Sequence, residues 1–333
     1  MNQAQIAEHR RAGSLRAQRA LRQSDVDFES PIDVFGAIEH QRVWLMFQPL
    51  DRLYGAYSRH DTPGVVVHAG HPSRLQRFTA AHELGHHLLG HDISVDSREE
   101  VESTDASLPA QEIEAQAFAA TFLMPVQLVN RALGHLKLPR KPHTLDPRQT
   151  YRISLELGSS YTATVTQLRA LDRITFANAR DLQRARPIDI KTELALGERP
   201  ANSRADVWPL TLEDSGRELW VGPHDEVHAR LPETPTTGYR WRPADVGDGI
   251  EVAGDKPVRR NGGHERLYGA TRERHVWWRA LEPAHVAVSA ELRRSFEHDP
   301  AAVADRFEFS VHVVPAPTGP SEQGISRRQL QLL

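Results

Sequence analysis

Arg77-Phe78-Thr79-Ala80-Ala81-His82-Glu83-Leu84-Gly85-His86-His87-Leu88-Leu89-Gly90-His91 is the stretch on which the reading of this chain turns. It contains a His-Glu-x-x-His pattern. On a helix, residues four apart lie about 40° apart around the axis and one turn along it. The imidazoles of His82 and His86 then reach one metal ion, and Glu83 reaches a water held on that ion. Two neutral nitrogen ligands and a carboxylate base are the minimal equipment of a zinc peptidase. The chain has 18 His, so a His-x-x-x-His pair alone decides little. The intervening Glu and the apolar stripe of Ala80, Ala81, Leu84, Leu88 and Leu89 decide more, because the stripe predicts a helix made for burial. Thr79 is the expected N-cap and Gly90 the expected exit.

A catalytic zinc takes three protein ligands and leaves one position open. The third is expected from a second helix, read over residues 111–124 and stopped by Pro125. Glu112, Ala115, Ala119 and Phe122 share a face, and the two alanines let the helices approach closely. Glu112 is therefore the expected ligand. Glu114 points about 200° away and is the second choice. Gln116, one turn past Glu112, is placed to hydrogen-bond a ligand histidine. His68, His71, Tyr54 and Tyr57 are candidates to stabilise an oxyanion, and sequence does not rank them.

Pro31-Ile32-Asp33-Val34-Phe35, Gly55-Ala56-Tyr57, Val65-Val66-Val67, the His-Glu-x-x-His stretch and Glu112 through Pro125 together resemble the ImmA/IrrE-type metallopeptidases in order and spacing. The resemblance covers residues 1–130. It implies zinc bound by His82, His86 and Glu112, with Glu83 as general base. Members of that family act inside bacteria, and several cleave helix-turn-helix repressors in stress or mobile-element responses. The implied partner is thus a protein substrate such as a transcriptional repressor. The family usually has Asn or Asp where this chain has Gln116.

Composition sets the outer bounds. A chain of 333 residues suggests two domains, and 39% hydrophobic with 26% charged residues is ordinary for a globular protein. A net charge of −3 does not describe a general nucleic-acid or membrane binder. There is no cysteine, which removes disulfides and thiolate ligands and suits a reducing cytoplasm. No apolar run approaches the roughly 20 residues that span a bilayer. Residues 2–23 read as an Arg-rich solvated helix packed on the first domain.

Residues 31–41 read as a helix, and 43–47 and 65–68 as strands separated by Gly55 and the turn Asp61-Thr62-Pro63-Gly64. Residues 94–110 read as a polar loop. Residues 131–196 are a helical extension, in which Gly158-Ser159-Ser160 between two helices has a helix-turn-helix look. The basic residues there are scattered, so core completion is favoured over DNA reading. Residues 197–206 carry Gly, Pro, Asn and Ser and are the expected linker. Short alternating runs then signal a β-sandwich over 207–316, and 317–333 is expected to be a mobile polar tail. The predicted fold class is α+β: a mainly helical, zincin-like domain with a small sheet, followed by an immunoglobulin-like all-β sandwich.

Within the sandwich, Leu231-Pro232-Glu233-Thr234-Pro235-Thr236-Thr237-Gly238-Tyr239-Arg240-Trp241 resembles the first binding loop of chagasin-type inhibitors of papain-like cysteine peptidases. Tyr268-Gly269-Ala270-Thr271 resembles their second loop, and Arg293-Arg294-Ser295-Phe296 stands where the third has Arg-Pro-Trp. Thr234 replaces the usual Asn. The resemblance implies protein-binding loops at one end, built on Thr236, Thr237, Gly238, Tyr239, Gly269, Ala270, Thr271, Arg294 and Phe296. A papain-like peptidase, or another protein, is the implied partner there. Two functions are therefore carried forward: a zinc endopeptidase with a protein-binding module, and an inhibitor or binding protein whose peptidase domain is degenerate.

Overall fold

The computed structural model describes the chain except residues 25, 27, 52, 60–61, 93, 98–107, 259–271, 295–302, 316, 318 and 321–333. The described residues fall into two compact units. The described residues of Met1–Ala185, with residues 317 and 319–320, make the first, and those of Arg186–Pro315 the second.

The first unit opens with helix α1, Gln3–Gln23. Asn2 and Gln5 form a reciprocal capping box that satisfies its first free N–H groups. A short helix α2 (Val34–His40) leads into strands β1 (Trp44–Gln48), β2 (Leu53–Ser58) and β3 (Gly64–His68). Helix α3 follows over Ser73–Leu89, then β4 (Ser94–Ser97) and helix α4 (Ala110–Leu123). β1 pairs in parallel with β3, β2 is antiparallel to β3, and β4 is antiparallel to β2. A two-residue strand, Gly319–Pro320, pairs with Met46 and Phe47 on the other edge. Leu45, Phe47, Val65 and Val67 alternate into the core.

α4 lies against both α1 and α3. Two glycines permit this. A Cβ on Gly85 would stand 3.2 Å from the Ala115 Cα, and one on Gly13 would stand 2.1 Å from the Glu114 carbonyl oxygen. Ala115 and Ala119 are fully buried in the same seam, as their small size requires. Helices α5 (Val126–His135), α6 (Pro147–Glu156), α7 (Tyr161–Ala170) and α8 (Phe176–Leu182) complete this unit. The α6–α7 turn is fastened to α3: Arg74 donates to the Ser159 carbonyl at 2.9 Å and Arg77 to the Gly158 carbonyl at 3.3 Å. Burial lowers the Arg77 guanidinium pKa to about 10. The helix-turn-helix look thus belongs to a segment whose turn is packed inward.

The second unit begins with α9, Pro187–Leu194. Its Lys191 ammonium donates to the carbonyls of Ser203 and Ala205. Eight strands follow: β5 (Val207–Thr211), β6 (Arg217–Val221), β7 (Glu226–Glu233), β8 (Tyr239–Pro243), β9 (Ile250–Pro257), β10 (Arg272–Ala280), β11 (Ala284–Arg294) and β12 (Asp305–Val313). They form two four-stranded sheets, ordered β5-β7-β10-β9 and β6-β12-β11-β8. Trp278 of the first sheet meets Phe309 of the second edge to face, ring centres 5.2 Å apart. With the fully buried Trp241 and Phe307, they fill the space between the sheets. The fold is α+β, with an immunoglobulin-like sandwich in its C-terminal part.

Several local expectations change. Thr79 is not an N-cap but a fully buried mid-helix residue, because α3 starts about two turns earlier, at Ser73. Gly55 lies inside β2 rather than between strands. The stretch 94–110 contains a strand, since Ser94–Ser97 finds a partner in β2. Residues 197–206 lie within the second unit, held by Lys191, and α9 belongs there too instead of to a helical extension. In the tail, Gly319–Pro320 is paired, and 321–333 lie outside the described residues.

Candidate metal centre

α3 and α4 bring three ligand-type atoms to one point. His82 Nε2 and His86 Nε2 are 3.1 Å apart. Glu112 Oε2 is 3.1 Å from His82 Nε2 and 3.5 Å from His86 Nε2. Ligands at 2.0–2.1 Å from a tetrahedral ion would stand about 3.3 Å apart. The spacing and the donor set therefore fit a zinc-sized cation. All three side chains are buried, so the arrangement brings lone pairs together away from bulk water. Burial pushes the Glu112 carboxyl up, but hydrogen bonds and charge from His82 and His86 hold it well below the usual carboxylate range.

Glu83, the helical neighbour of His82, is fully buried as well. It explains the glycine in β2. A Cβ on Gly55 would sit 2.7 Å from Glu83 Oε1 and 2.4 Å from the Thr79 methyl. The strand passes so close to the helix that only glycine fits. Gln116 is half-buried on α4, on the Glu112 side of the helix by spacing.

The other expected site residues make local contacts of their own. The Tyr57 hydroxyl meets His87 Nδ1 at 3.1 Å. His68 Nδ1 accepts from the Gly70 N–H at 2.8 Å, which leaves the proton of a neutral ring on Nε2. His71 stacks on His68 at 4.2 Å and meets Tyr54 edge to face at 4.3 Å. Glu114 faces away from the ligand cluster. Its Oε2 is 3.0 Å from His91 Nε2, its Oε1 is 2.6 Å from His9 Nδ1, and His91 Nδ1 is 3.0 Å from His86 Nδ1. Sequence reading missed His91 and His9. The only signal for His91 was a His directly after the helix-ending Gly90, and none marked His9.

In the second unit, strand register puts the C-terminal ends of β7, β9 and β11 and the N-terminal ends of β8, β10 and β12 at one end. Glu233 pairs with Arg272, Lys256 with His275, Tyr239 with Arg294 and Asp305 with Leu292. Thr236 and Thr237 are exposed in the β7–β8 connection. The turn is closed by Thr237, whose N–H and hydroxyl both donate to the Thr234 carbonyl, and by Gly238 at φ 79°. The Arg294 guanidinium lies 4.7 Å over the Tyr239 ring. Trp241 is core, its indole N–H donating to the Pro232 carbonyl at 2.7 Å. Gly269, Ala270, Thr271 and Phe296 lie outside the described residues.

With both sites in view, comparison with known families is direct. Residues 38–163 match the IrrE N-terminal-like domain of a peptidase family, and residues 221–313 match the chagasin family of peptidase inhibitors. The two matches lie one after the other along the chain. A metallopeptidase-like first domain and a protein-binding second one follow. A comparison with curated proteins finds no match. Among solved structures, the chain is similar to a cysteine protease inhibitor from Entamoeba histolytica (18% identity, TM-score 0.28, 33% of this chain and 97% of that one). It is also similar to Amebosin (16%, 0.28, 33% and 98%). A third is PbICP-C in complex with falcipain-2 (13%, 0.23, 33% and 91%). Among the described residues, no helix is long and apolar enough to cross a membrane.

Proposed function

We propose that the first domain is a zinc endopeptidase and that the sandwich is its protein-binding module. The observation that carries this is the convergence of His82, His86 and Glu112 within 3.5 Å of one another, with Glu83 on the same helix. Zinc held there supplies an acidified water and a Lewis acid for the scissile carbonyl. Glu83 accepts the proton of the attacking water and passes it to the leaving amine nitrogen. Gly55 keeps the β2 backbone clear of that carboxylate. His68, with its Nε2–H as a donor, His71, Tyr54 and Tyr57 are the candidate oxyanion partners. The substrate class is an intracellular protein, and a helix-turn-helix repressor is the first to try, on the strength of the family likeness.

Metal analysis of full-length protein purified without chelator tests the centre: about one zinc per chain is expected, and its absence overturns the reading. Glu83→Gln should retain that zinc and lose cleavage of the substrate. Unchanged cleavage would remove Glu83 from its role.

A second reading concerns the sandwich. The exposed Thr236 and Thr237, and the gathering of six strand ends at that end of the sandwich, favour a loop surface that enters a protease cleft. Titrating papain with the full chain separates the readings. Inhibition at micromolar concentration supports a cysteine-peptidase inhibitor, and its absence leaves the loops to another protein partner.

A further inference from the structure

We propose that His91, Glu114 and His9 form a positioning relay that fixes the tautomer of His86 and strengthens its hold on the metal. The proposal rests on the metal-centre reading above.

The relay is a chain of short contacts: His86 Nδ1 to His91 Nδ1 at 3.0 Å, His91 Nε2 to Glu114 Oε2 at 3.0 Å, and Glu114 Oε1 to His9 Nδ1 at 2.6 Å. Its proton positions follow from one end. Ionised, Glu114 offers only acceptors, so both histidines that touch it must donate to it. His91 therefore carries its proton on Nε2, and its Nδ1, in the neutral ring, is an acceptor. His86 must then carry its proton on Nδ1. Its Nε2 is left with a lone pair, and this is the nitrogen that faces His82 and Glu112. A carboxylate on α4 thus selects the ligating tautomer of a histidine on α3 through a third side chain. It also makes the imidazole a stronger donor to a cation, as a carboxylate behind a metal-bound histidine does.

Local structure explains how His91 reaches its post. Gly90 leaves α3 in the left-handed conformation, φ 78°, and the His91 N–H turns back to the His86 carbonyl at 3.0 Å. Arg59 donates to the Gly90 carbonyl at 2.9 Å and pins the turn from outside. His91 is folded over the last turn of the helix, level with His86. The far end is set by α1, which carries His9 and lies close to α4 because residue 13 is glycine. Glu112 and Glu114 thus both serve one centre from different sides of α4: one faces the ion position, the other acts behind a ligand.

The test uses the full chain and zinc ion, with affinity measured by competition against a chromophoric chelator. His91→Phe keeps a ring and removes both nitrogens; it should weaken zinc binding by about 10–100-fold. His91→Gln keeps one acceptor and one donor in its amide and should recover most of that loss. Glu114→Gln should weaken binding less than His91→Phe. The melting temperature of the zinc-free protein is recorded for each. A purely structural role would lower it in step with zinc affinity, whereas the relay predicts that the two histidine variants differ in zinc affinity far more than in zinc-free stability. Wild-type affinity in both His91→Phe and Glu114→Gln overturns the relay and leaves the metal centre standing. A wild-type chain that binds no zinc overturns both. If His91→Phe does not fold, Glu114→Gln carries the same decision, because it preserves shape at a half-buried position.

Discussion

Each unit of this chain buries two histidines and a glutamate together, and the two clusters are built in opposite ways. In the first, His82 Nε2, His86 Nε2 and Glu112 Oε2 form a triangle with sides of 3.1–3.5 Å. In the second, His228 stands in the middle of a line, with Nδ1 2.8 Å from His275 and Nε2 3.1 Å from Glu226. Arg279 adds a positive charge to Glu226 at 3.2 Å. In the line each contact has room for one proton between two atoms, and a cation of the chain balances the carboxylate; His275 Nδ1, at its far end, has no hydrogen-bond partner among the described residues. The triangle gathers three electron-rich atoms around one point, an arrangement a cation completes. The same residue types therefore make a convergent triangle in one place and a hydrogen-bonded line in the other. Geometry separates them, and composition does not.

The largest expected effect breaks the comparison at its chemical end. Glu83→Gln should lower peptide cleavage by about 10²–10⁴-fold, the usual worth of a general base, while zinc content stays the same. The next effect is on metal content. Glu112→Ala should leave less than a tenth of the wild-type zinc, whereas Glu226→Gln should leave zinc content unchanged. If Glu226→Gln also loses zinc, the line and the triangle are not functionally distinct. Gly55→Ala comes third. It forces a methyl into Thr79 and Glu83 and should cost about 1–3 kcal/mol in denaturant unfolding, with loss of cleavage beyond what the stability change explains.

The smallest effect sharpens the second cluster. Burial, then the charges of His228, Lys256 and Arg230, lower the His275 pKa to about 3 from its ordinary 6.5. The unfolded chain therefore takes up a proton below pH 6.5 that the folded protein refuses until about pH 3. This contribution to stability is present above pH 6.5 and lost progressively as pH falls toward 3. Melting temperature should drop across that window, and less steeply in His275→Gln. An equal slope in the two proteins would show that His275 does not carry the effect.

How much of this was legible depends on the range of the interaction. The α3 register was legible because His82, Glu83 and His86 obey a local period. The third ligand-type residue was legible for a similar reason: Glu112 shares a face with Ala115 and Ala119, whose small size announces a close helix pair. Thr79 was misread because a threonine before an apolar run looks like a cap. What extends α3 back to Ser73 is non-local, namely Arg77 reaching the Ile32 carbonyl at 2.7 Å and Gln76 reaching the carbonyls of His68 and Ala69. Gly55 looked like a breaker because its reason for being glycine, Glu83, is far away in sequence. The loop 197–206 has a linker's composition, and one buried lysine makes it part of a domain.

The sequence by itself determined the local matters. These are the helix bearing His82, Glu83 and His86, the alternation of the β-strands, the likeness to two families and the absence of cysteine ligands. Each is written in nearest neighbours along a helix or strand, or in composition, and needs no knowledge of what lies across the core. Only the tertiary structure decided that Glu114 stands behind His86 by way of His91, that Gly55 clears space for Glu83, and that His228 and His275 stand in one hydrogen-bonded line. Those facts join residues up to 47 positions apart, as His228 and His275 are, and side-chain spacing at that range is set by packing, not by period.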